Sequence, residues 1–198
     1  MPNFCDNTLH IEGADDEIQR FLDSTTIGEH TYEILKSLYP VPQELTDTVS
    51  GWSSNEEEQA EREKQYARNT EKYGYKDWYD WQNANWGTKW GDCDTQLVGR
   101  NTDYVCFTFE SAWGPPSTAF VKISQDFPTL TFYLTYHEKG MGFAGCDGFR
   151  NGEHVDSYTE DISIPNADED DEMDWEALDD AYLEAMDSCE KNVREMLS

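Results

Sequence analysis

Basic side chains are scarce in this chain of 198 residues. It has 14 lysines and arginines against 42 aspartates and glutamates, for a formal net charge of −28 with histidine neutral. Nucleic-acid phosphates and anionic membranes repel such a surface, which excludes a conventional DNA or RNA reader and disfavours membrane binding. The remaining classes are proteins that handle small ligands, contact basic protein surfaces, or compete with nucleic acid for a basic partner.

The negative charge is spread over the whole chain. Residues 160–198 carry 15 acidic and two basic residues, a net charge of −13, which leaves −15 on residues 1–159. The charge is therefore a property of both parts, and surface solubility alone is an alternative explanation for it.

Long hydrophobic runs and a secretory leader are also lacking. No run approaches 18 apolar residues, and the first residues form neither a basic nor an apolar leader region. The cysteines are odd in number and widely scattered, which predicts free thiols in a reducing compartment. We therefore expect a cytoplasmic protein without membrane association. The five cysteines are Cys5, Cys93, Cys106, Cys146 and Cys189.

Motifs for metal and nucleophilic chemistry are missing as well. The sequence has no Cys-x-x-Cys pair, no His-Glu-x-x-His and no Gly-x-Ser-x-Gly, and its four histidines lie in separate segments. The pairs Asp92 and Asp94, or Asp77 and Asp80, offer oxygen ligands for a hard cation, but such pairs arise by chance in so acidic a chain. We expect no catalytic residues and no metal.

One glycine pattern has the spacing of a dinucleotide-binding loop. Residues 140–145 read Gly-Met-Gly-Phe-Ala-Gly and follow a predicted strand, but residues 146–152 cannot open the helix that would receive a pyrophosphate. These glycines instead favour tight turns or close backbone approach. No cofactor is expected.

Hydrophobic periodicity predicts the order strand, helix, insertion, strand, strand, helix, strand. This order indicates an α+β fold, a ferredoxin-like split βαβ arrangement with one antiparallel sheet and helices on one face. The domain is expected over residues 1–158, with a Trp-rich helical insertion at about 43–92. The predicted strands are 8–12, 94–99, 104–110 and 130–136, with helices starting at Asp15 or Asp16 and at Pro116 or Ser117, and a last hairpin around Asn151-Gly152.

Residues 159–198 are predicted to form an acidic linker and an amphipathic C-terminal helix. Apolar residues recur every three or four positions over 174–197, and such a stripe needs a surface to pack against. The body of the domain is the favoured surface, with a dimer partner or a foreign protein as alternatives. The sequence leaves the oligomeric state open.

Tryptophans gather around glycine and proline turns in the middle of the chain. Trp86, Lys89, Trp90 and Trp113 are candidate ligand-binding residues, because indole rings stack on flat ligands while a lysine meets a phosphate. The alternative is that these tryptophans form a small core that joins the insertion to the sheet.

Several ordered motifs resemble the YubB-type ferredoxin-like proteins of bacteriophages and conjugative plasmids. The resemblance spans about residues 1–156, and it implies a ferredoxin-like domain and a mobile-element origin but no established activity or catalytic residues. The motifs are Met1-Pro-Asn-Phe-Cys-Asp-Asn7, Pro40-Val-Pro42, Tyr73-Gly-Tyr-Lys-Asp-Trp-Tyr-Asp-Trp81, Asn85-Trp-Gly-Thr-Lys-Trp90, Phe109-Glu-Ser-Ala-Trp-Gly-Pro-Pro116 and Gly140-Met-Gly-Phe-Ala-Gly145.

Charge and resemblance together predict a non-enzymatic protein that binds a basic host protein, such as a nuclease or DNA-binding defence protein. A net charge of −28 equals that of about 14 base pairs of duplex, at about 1.7 Å of helix axis per charge. Anti-defence inhibition by nucleic-acid mimicry is the leading hypothesis, with Asp170, Asp171, Glu172 and Asp174 as candidate partner-binding residues. The alternative is a protein that binds or sequesters a nucleotide-like ligand in the Trp-rich region. A hydrolase is the weakest hypothesis.

Overall fold

The computed structural model describes residues 3–163 and 175–197 of the chain, and all structural statements below concern these residues. In chain order its elements are β1 (Phe4–Glu12), α1 (Asp15–Thr25), β2 (Thr26–Gly28), β3 (Thr31–Tyr32), α2 (Leu35–Leu38), α3 (Gln43–Thr46), α4 (Glu56–Tyr73), α5 (Trp78–Asn85), β4 (Cys93–Arg100), β5 (Tyr104–Ala112), α6 (Ser117–Asp126), β6 (Thr131–Glu138), β7 (Phe143–Arg150), β8 (Glu153–Asp161) and α7 (Trp175–Leu197).

Six of the strands form one antiparallel sheet in the order β4-β5-β1-β6-β7-β8. Within it, β1, α1, β4, β5, α6 and β6 have the order and pairing of the split βαβ arrangement, because β5 lies between β1 and β4 and β6 flanks β1 on its other side. The ferredoxin-like α+β fold predicted from the sequence is thus confirmed. Strands β7 and β8 extend the sheet beyond β6.

Helices α1 and α6 cover one face of the sheet with the main hydrophobic core. Leu9 of β1 and Phe132 of β6 are fully buried there against Phe21 of α1 and Phe120 of α6. Phe21 lies 5.9 Å from Phe132 between ring centroids, and Phe120 lies 6.4 Å from the same ring. The three- and four-residue spacing of apolar positions in α1 therefore forms the stripe that the sequence predicts.

Helix α7 covers the opposite face over β6, β7 and β8. Tyr133 follows Phe132 in β6 and points the other way, where it packs with Cys146, Cys189 and Val193. A second group on the same side joins Ala144 of β7 to α7 residues Leu178, Tyr182 and Ala185. The amphipathic stripe therefore docks on the body of its own domain, which is the favoured sequence interpretation, and helices α1 and α6 share one sheet face while α7 covers the other.

The insertion between β3 and β4 contains α2 to α5. Asn55 caps α4 by accepting hydrogen bonds from the backbone N–H groups of Glu57 and Glu58, at 2.9 and 3.2 Å, and Gly74 ends the helix at a φ of 80°. This solvent-facing helix lies within the helical insertion that the sequence predicts at about 43–92. Residues 31–39 contain both the short strand β3 and the short helix α2.

Candidate functional site

Trp86 belongs to the core that joins the insertion to the domain. Its side chain is 2% exposed, and its Nε1–H donates to the backbone carbonyl of Tyr39 at 2.9 Å. The indole of Trp81 packs edge-on against Trp86 with centroids 5.9 Å apart, and Tyr39 packs on Trp81 at 5.1 Å. The burial of Trp86 thus fits the alternative that the tryptophans form a small core between the insertion and the sheet.

Lys89, Trp90 and Trp113 lie together near the start of β1. The Lys89 ammonium stands 4.2 Å from the centroid of the Trp90 ring and 6.0 Å from that of Trp113. Phe4 stacks on Trp90 with centroids 6.4 Å apart. Trp113 is 43% exposed and has a φ of 67°, a left-handed conformation that is strained for a bulky residue. The lysine is thus directed at indole faces of its own chain.

A cleft of about 800 Å³ opens between the β3–α2 segment and the start of β4. Tyr32, Trp86 and Trp90 supply its aromatic lining, whereas Lys89 and Trp113 do not contribute to it. The ring of Tyr32 is fixed against Phe107 with centroids 5.4 Å apart. Of the four sequence-predicted ligand residues, the structure therefore places two on this cleft and two beside it, and ligand binding by any of them remains a prediction.

Four carboxylates give the cleft its charge. They belong to Glu33, Asp92, Asp94 and Glu110, and the lining also contains Lys36. The Lys36 ammonium donates to the Glu33 carboxylate at 2.9 Å, which raises the pKa of Lys36. With the remaining lining neutral, the formal charge of the cleft is −3.

Asp92 is the most buried of these acids. Its Oδ2 accepts hydrogen bonds from the backbone N–H groups of Ile34 and Leu35, at 2.5 and 3.0 Å, which fixes the start of α2. Burial raises the pKa of Asp92 to about 6, with the two backbone donors acting in the opposite direction. Sequence spacing could not show this role, because the donors precede Asp92 by 58 and 57 residues.

One acid of each pair considered for a hard cation accepts hydrogen bonds from the start of a helix. Asp77 caps α5 by accepting from the backbone N–H of Asp80 at 3.0 Å, and Asp92 holds the start of α2. Within residues 3–163 and 175–197, no group of three or more metal-ligating side chains comes together.

All five cysteines are free thiols, as the sequence predicts. Burial raises the pKa of Cys5 to about 12 and that of Cys106 to about 11, so both are protonated at neutral pH. Cys106 Sγ lies 3.6 Å from His10 Nε2 across β1 and β5. A protonated thiol is a weak nucleophile, and this pair therefore lacks the activation that thiol catalysis needs.

The outer surface of α7 is the most regular acidic feature of the described chain. Glu176, Asp180, Glu184 and Asp187 are all exposed and are spaced by four, four and three residues. At 100° and 1.5 Å per residue they lie within about 80° of one another and extend about 16 Å along the helix. We call these four residues the α7 stripe. They oppose the buried positions Leu178, Tyr182, Ala185, Cys189 and Val193.

The cations of the protein are largely engaged by its own carboxylates. Eleven of the 14 lysines and arginines lie within 4.0 Å of an Asp or Glu oxygen, and seven of these make a pair three or four residues along the chain. Lys89 lies over indole rings instead. Little positive charge therefore remains to contact phosphate, although Arg150 and Lys191 are exposed and Lys191 lies on α7, four residues after Asp187 of the stripe.

The candidate partner-binding residues Asp170, Asp171, Glu172 and Asp174 lie outside the described residues. The α7 stripe follows them directly in the chain, and sequence reasoning missed it as a surface. The i, i+4, i+8, i+11 spacing of acids is legible in the sequence once the buried stripe of the same helix is assigned.

No helix in the described part of the chain has the length and apolar character needed to cross a bilayer.

The sheet order, the two helical layers and the acidic helix define a protein built on a ferredoxin-like domain. Residues 85–179 match the family model described as the ferredoxin-like domain in Api92-like protein. Among solved structures, the crystal structure of the protein Api92 from Yersinia pseudotuberculosis aligns with 82% of this chain and 99% of its own, at 12% identity and a TM-score of 0.45. No curated protein matches the chain.

Proposed function

We propose that this protein binds a basic partner protein through its acidic surface, with the α7 stripe as the ordered part of the contact. The observation that carries the proposal is the stripe itself, four exposed carboxylates on one side of a helix whose other side is anchored to the sheet. Because the helix is docked, the charges are held in a fixed array and a partner does not have to order them.

The spacing of the stripe suits a surface that normally contacts nucleic acid. Successive carboxylates are about 4.5–6 Å apart along the helix axis, somewhat wider than the charge repeat of about 3.4 Å along one nucleic-acid strand. A cationic cleft that attracts phosphates attracts this array for the same electrostatic reason. The partner class is therefore a basic nucleic-acid-binding protein, and nucleic-acid mimicry is the proposed mode of binding.

If the protein is encoded by a phage or plasmid, such binding would inhibit host defence proteins. Phage and plasmid DNA entering a cell meets nucleases and DNA-binding defence proteins with basic clefts, and an acidic protein in the host cytoplasm blocks a cleft by occupying it. The resemblance to YubB-type proteins motivates this anti-defence role. Charge complementarity would supply fast association and salt sensitivity, while contacts specific to one partner would set the residence time.

The test begins with affinity capture of host proteins at low salt on the immobilised protein, followed by mass spectrometry. Retained partners should be basic, should be released by added duplex DNA, and should bind much more weakly at 0.5 M salt, where screening acts over a few ångströms. The captured partner is then purified and its affinity measured with two variants of equal charge.

The first variant neutralises the α7 stripe isosterically, as E176Q, D180N, E184Q and D187N together. The matched control neutralises four exposed carboxylates that do not share one face, Glu29, Glu71, Asp103 and Asp161. We expect the stripe variant to weaken binding at least tenfold more than the control does, since directed charge pairs at interfaces contribute about 1.5 kcal/mol or more. Equal losses would show that net charge alone acts, and a partner that binds this protein and DNA simultaneously would refute mimicry.

A further inference from the structure

The cleft between β3 and β4 is a second feature of the surface, distinct from the α7 stripe. Its volume of about 800 Å³ lies within the range of small-molecule sites, about 300–1,000 Å³. Rigid aromatic rings form part of its wall, because Tyr32 packs on Phe107 and Trp86 is hydrogen-bonded to Tyr39. A preformed aromatic wall lowers the cost of ordering the site around a ligand.

The negative charge of the cleft lining favours a positively charged ligand. Four carboxylates face one ammonium, and that ammonium is already bonded to Glu33 at 2.9 Å. The thiol of Cys93 also lines the cleft, where burial raises its pKa and the carboxylates of Asp92, Asp94 and Glu110 raise it further, while Lys36 acts in the opposite direction. A phosphate-bearing ligand is therefore repelled from this cleft.

The lining offers ring surface beside its negative charge. Tyr32 lies on the same cleft as Asp94 and Glu110, and aromatic rings beside carboxylates are the groups that bind organic cations.

We propose that this cleft binds the guanidinium or alkylammonium group of a cationic ligand. The Tyr32 ring lies on the cleft wall next to the cation, while Asp94 and Glu110 supply charge-assisted hydrogen bonds. Both acids lie at the solvent-facing side of the cleft and neither holds the backbone as Asp92 does. The site does not depend on partner binding by the α7 stripe.

Butylguanidinium and its neutral isostere butylurea test the proposal by isothermal titration calorimetry on the full chain at low salt. Butylguanidinium should bind at least about tenfold more tightly than butylurea, because hydrogen bonds to charged groups are worth about a tenfold factor or more each. A blocked tripeptide with a central arginine identifies the source of the group: tighter binding of the peptide assigns the cation to a protein side chain, and tighter binding of butylguanidinium assigns it to a small molecule.

The variant D94N/E110Q removes two charges from the cleft without changing side-chain shape, and asparagine tolerates the φ of 52° that Asp94 adopts. It should weaken butylguanidinium binding about tenfold or more. The control E153Q/D156N makes the same change on β8, at the opposite edge of the sheet, and should weaken binding less than about threefold. Thermal unfolding midpoints confirm that each variant folds.

Three results would overturn the proposal: equal affinity for butylguanidinium and butylurea, equal effects of the two double variants, or binding of adenosine monophosphate without binding of either cation. The α7 stripe variant should bind butylguanidinium as the unaltered protein does. If the cleft does not bind the cation, the proposal that the α7 stripe binds a basic protein is unaffected. If no basic partner is found, the proposal for the cleft is likewise unaffected.

Discussion

Replacement of Trp86 should test whether this buried tryptophan stabilises the fold more than its partly buried neighbour Trp90 does. Trp86 is 2% exposed and donates a hydrogen bond to the Tyr39 carbonyl. A buried tryptophan removes about 150–250 Å² from water, which corresponds to about 4–6 kcal/mol at 25 cal/mol per Å². Trp86→Ala should therefore lower the free energy of unfolding by about 3–5 kcal/mol, the usual cost of such truncations.

Trp90 is the matched comparison within the same region. It is only partly buried and contacts Phe4 and Lys89 through its ring faces. Its replacement by alanine should cost about 1–2 kcal/mol, the scale of one aromatic and one cation–π contact. The expected difference between the two variants is thus about 2–3 kcal/mol.

Urea unfolding followed by far-UV circular dichroism measures both variants without relying on tryptophan emission. Because loss of Trp86 can exceed the total stability of a small domain, Trp86→Phe serves as the milder change. It keeps most of the ring and leaves the Tyr39 carbonyl unpaired, at a cost of about 1–3 kcal/mol. Equal costs for the alanine variants at positions 86 and 90 would refute the distinction between core and cleft wall.

Two further changes test the acid of the cleft and the docking of α7. Burial raises the pKa of Asp92 from 3.8 to about 6, so the folded state binds the proton of this carboxyl group more tightly than the unfolded state does. The free energy of unfolding should therefore fall as the pH rises from about 4 to 6. The variant Asp92→Asn should lose this pH dependence and should be more stable than the unaltered protein at pH 8 by up to about 3 kcal/mol. Urea titrations from pH 4 to 8 measure this, and an unchanged slope would contradict it. A Cβ on Gly148 would lie 2.6 Å from side-chain carbons of both Val193 and Leu197, so Gly148→Ala should cost about 1–3 kcal/mol and speed hydrogen exchange in α7. Gly114→Ala, where a Cβ meets nothing within 4 Å, is the control and should change stability by less than about 0.5 kcal/mol; equal exchange rates in both variants would speak against a tight fit at Gly148.

The elements that the sequence predicts well are those with a clear apolar pattern. Strand β6 is a nearly continuous run of aromatic, aliphatic and β-branched residues that is buried on both faces, and α1 repeats its buried positions at three and four residues, so both are evident from pattern alone. Strand β7 is different. Pattern reasoning predicts only a hairpin around Asn151-Gly152, whereas the strand starts at Phe143, because Gly145 and Gly148 interrupt the expected side-chain alternation.

Those glycines have packing reasons that only the fold reveals. A Cβ at Gly145 would lie 2.7 Å from the Tyr136 ring and from the Tyr158 carbonyl oxygen, and at Gly148 it would meet α7. The predicted close backbone approach is therefore right, although the partners come from β6, β8 and a helix 45 residues away. The cleft could not be predicted from the sequence either, because it is formed by segments that are distant in the chain, as the hydrogen bond from the Ile34 backbone N–H to Asp92 shows.

The α7 stripe also separates loss of binding from loss of fold. Like charges three or four residues apart on a helix destabilise it by about 0.2–0.5 kcal/mol per pair, and the stripe contains three such neighbours, Glu176 with Asp180, Asp180 with Glu184 and Glu184 with Asp187. Neutralising all four removes this repulsion, but it also removes the favourable charge of Glu176 in the first turn and the favourable i, i+4 spacing of Asp187 and Lys191. The stability of the isolated protein should therefore change by less than about 1 kcal/mol, while the apolar side of α7 stays packed on Tyr133 and Ala144. A neutralised protein of unchanged stability that loses its basic partner would show that the stripe acts in binding, whereas one that keeps the partner would place the contact elsewhere.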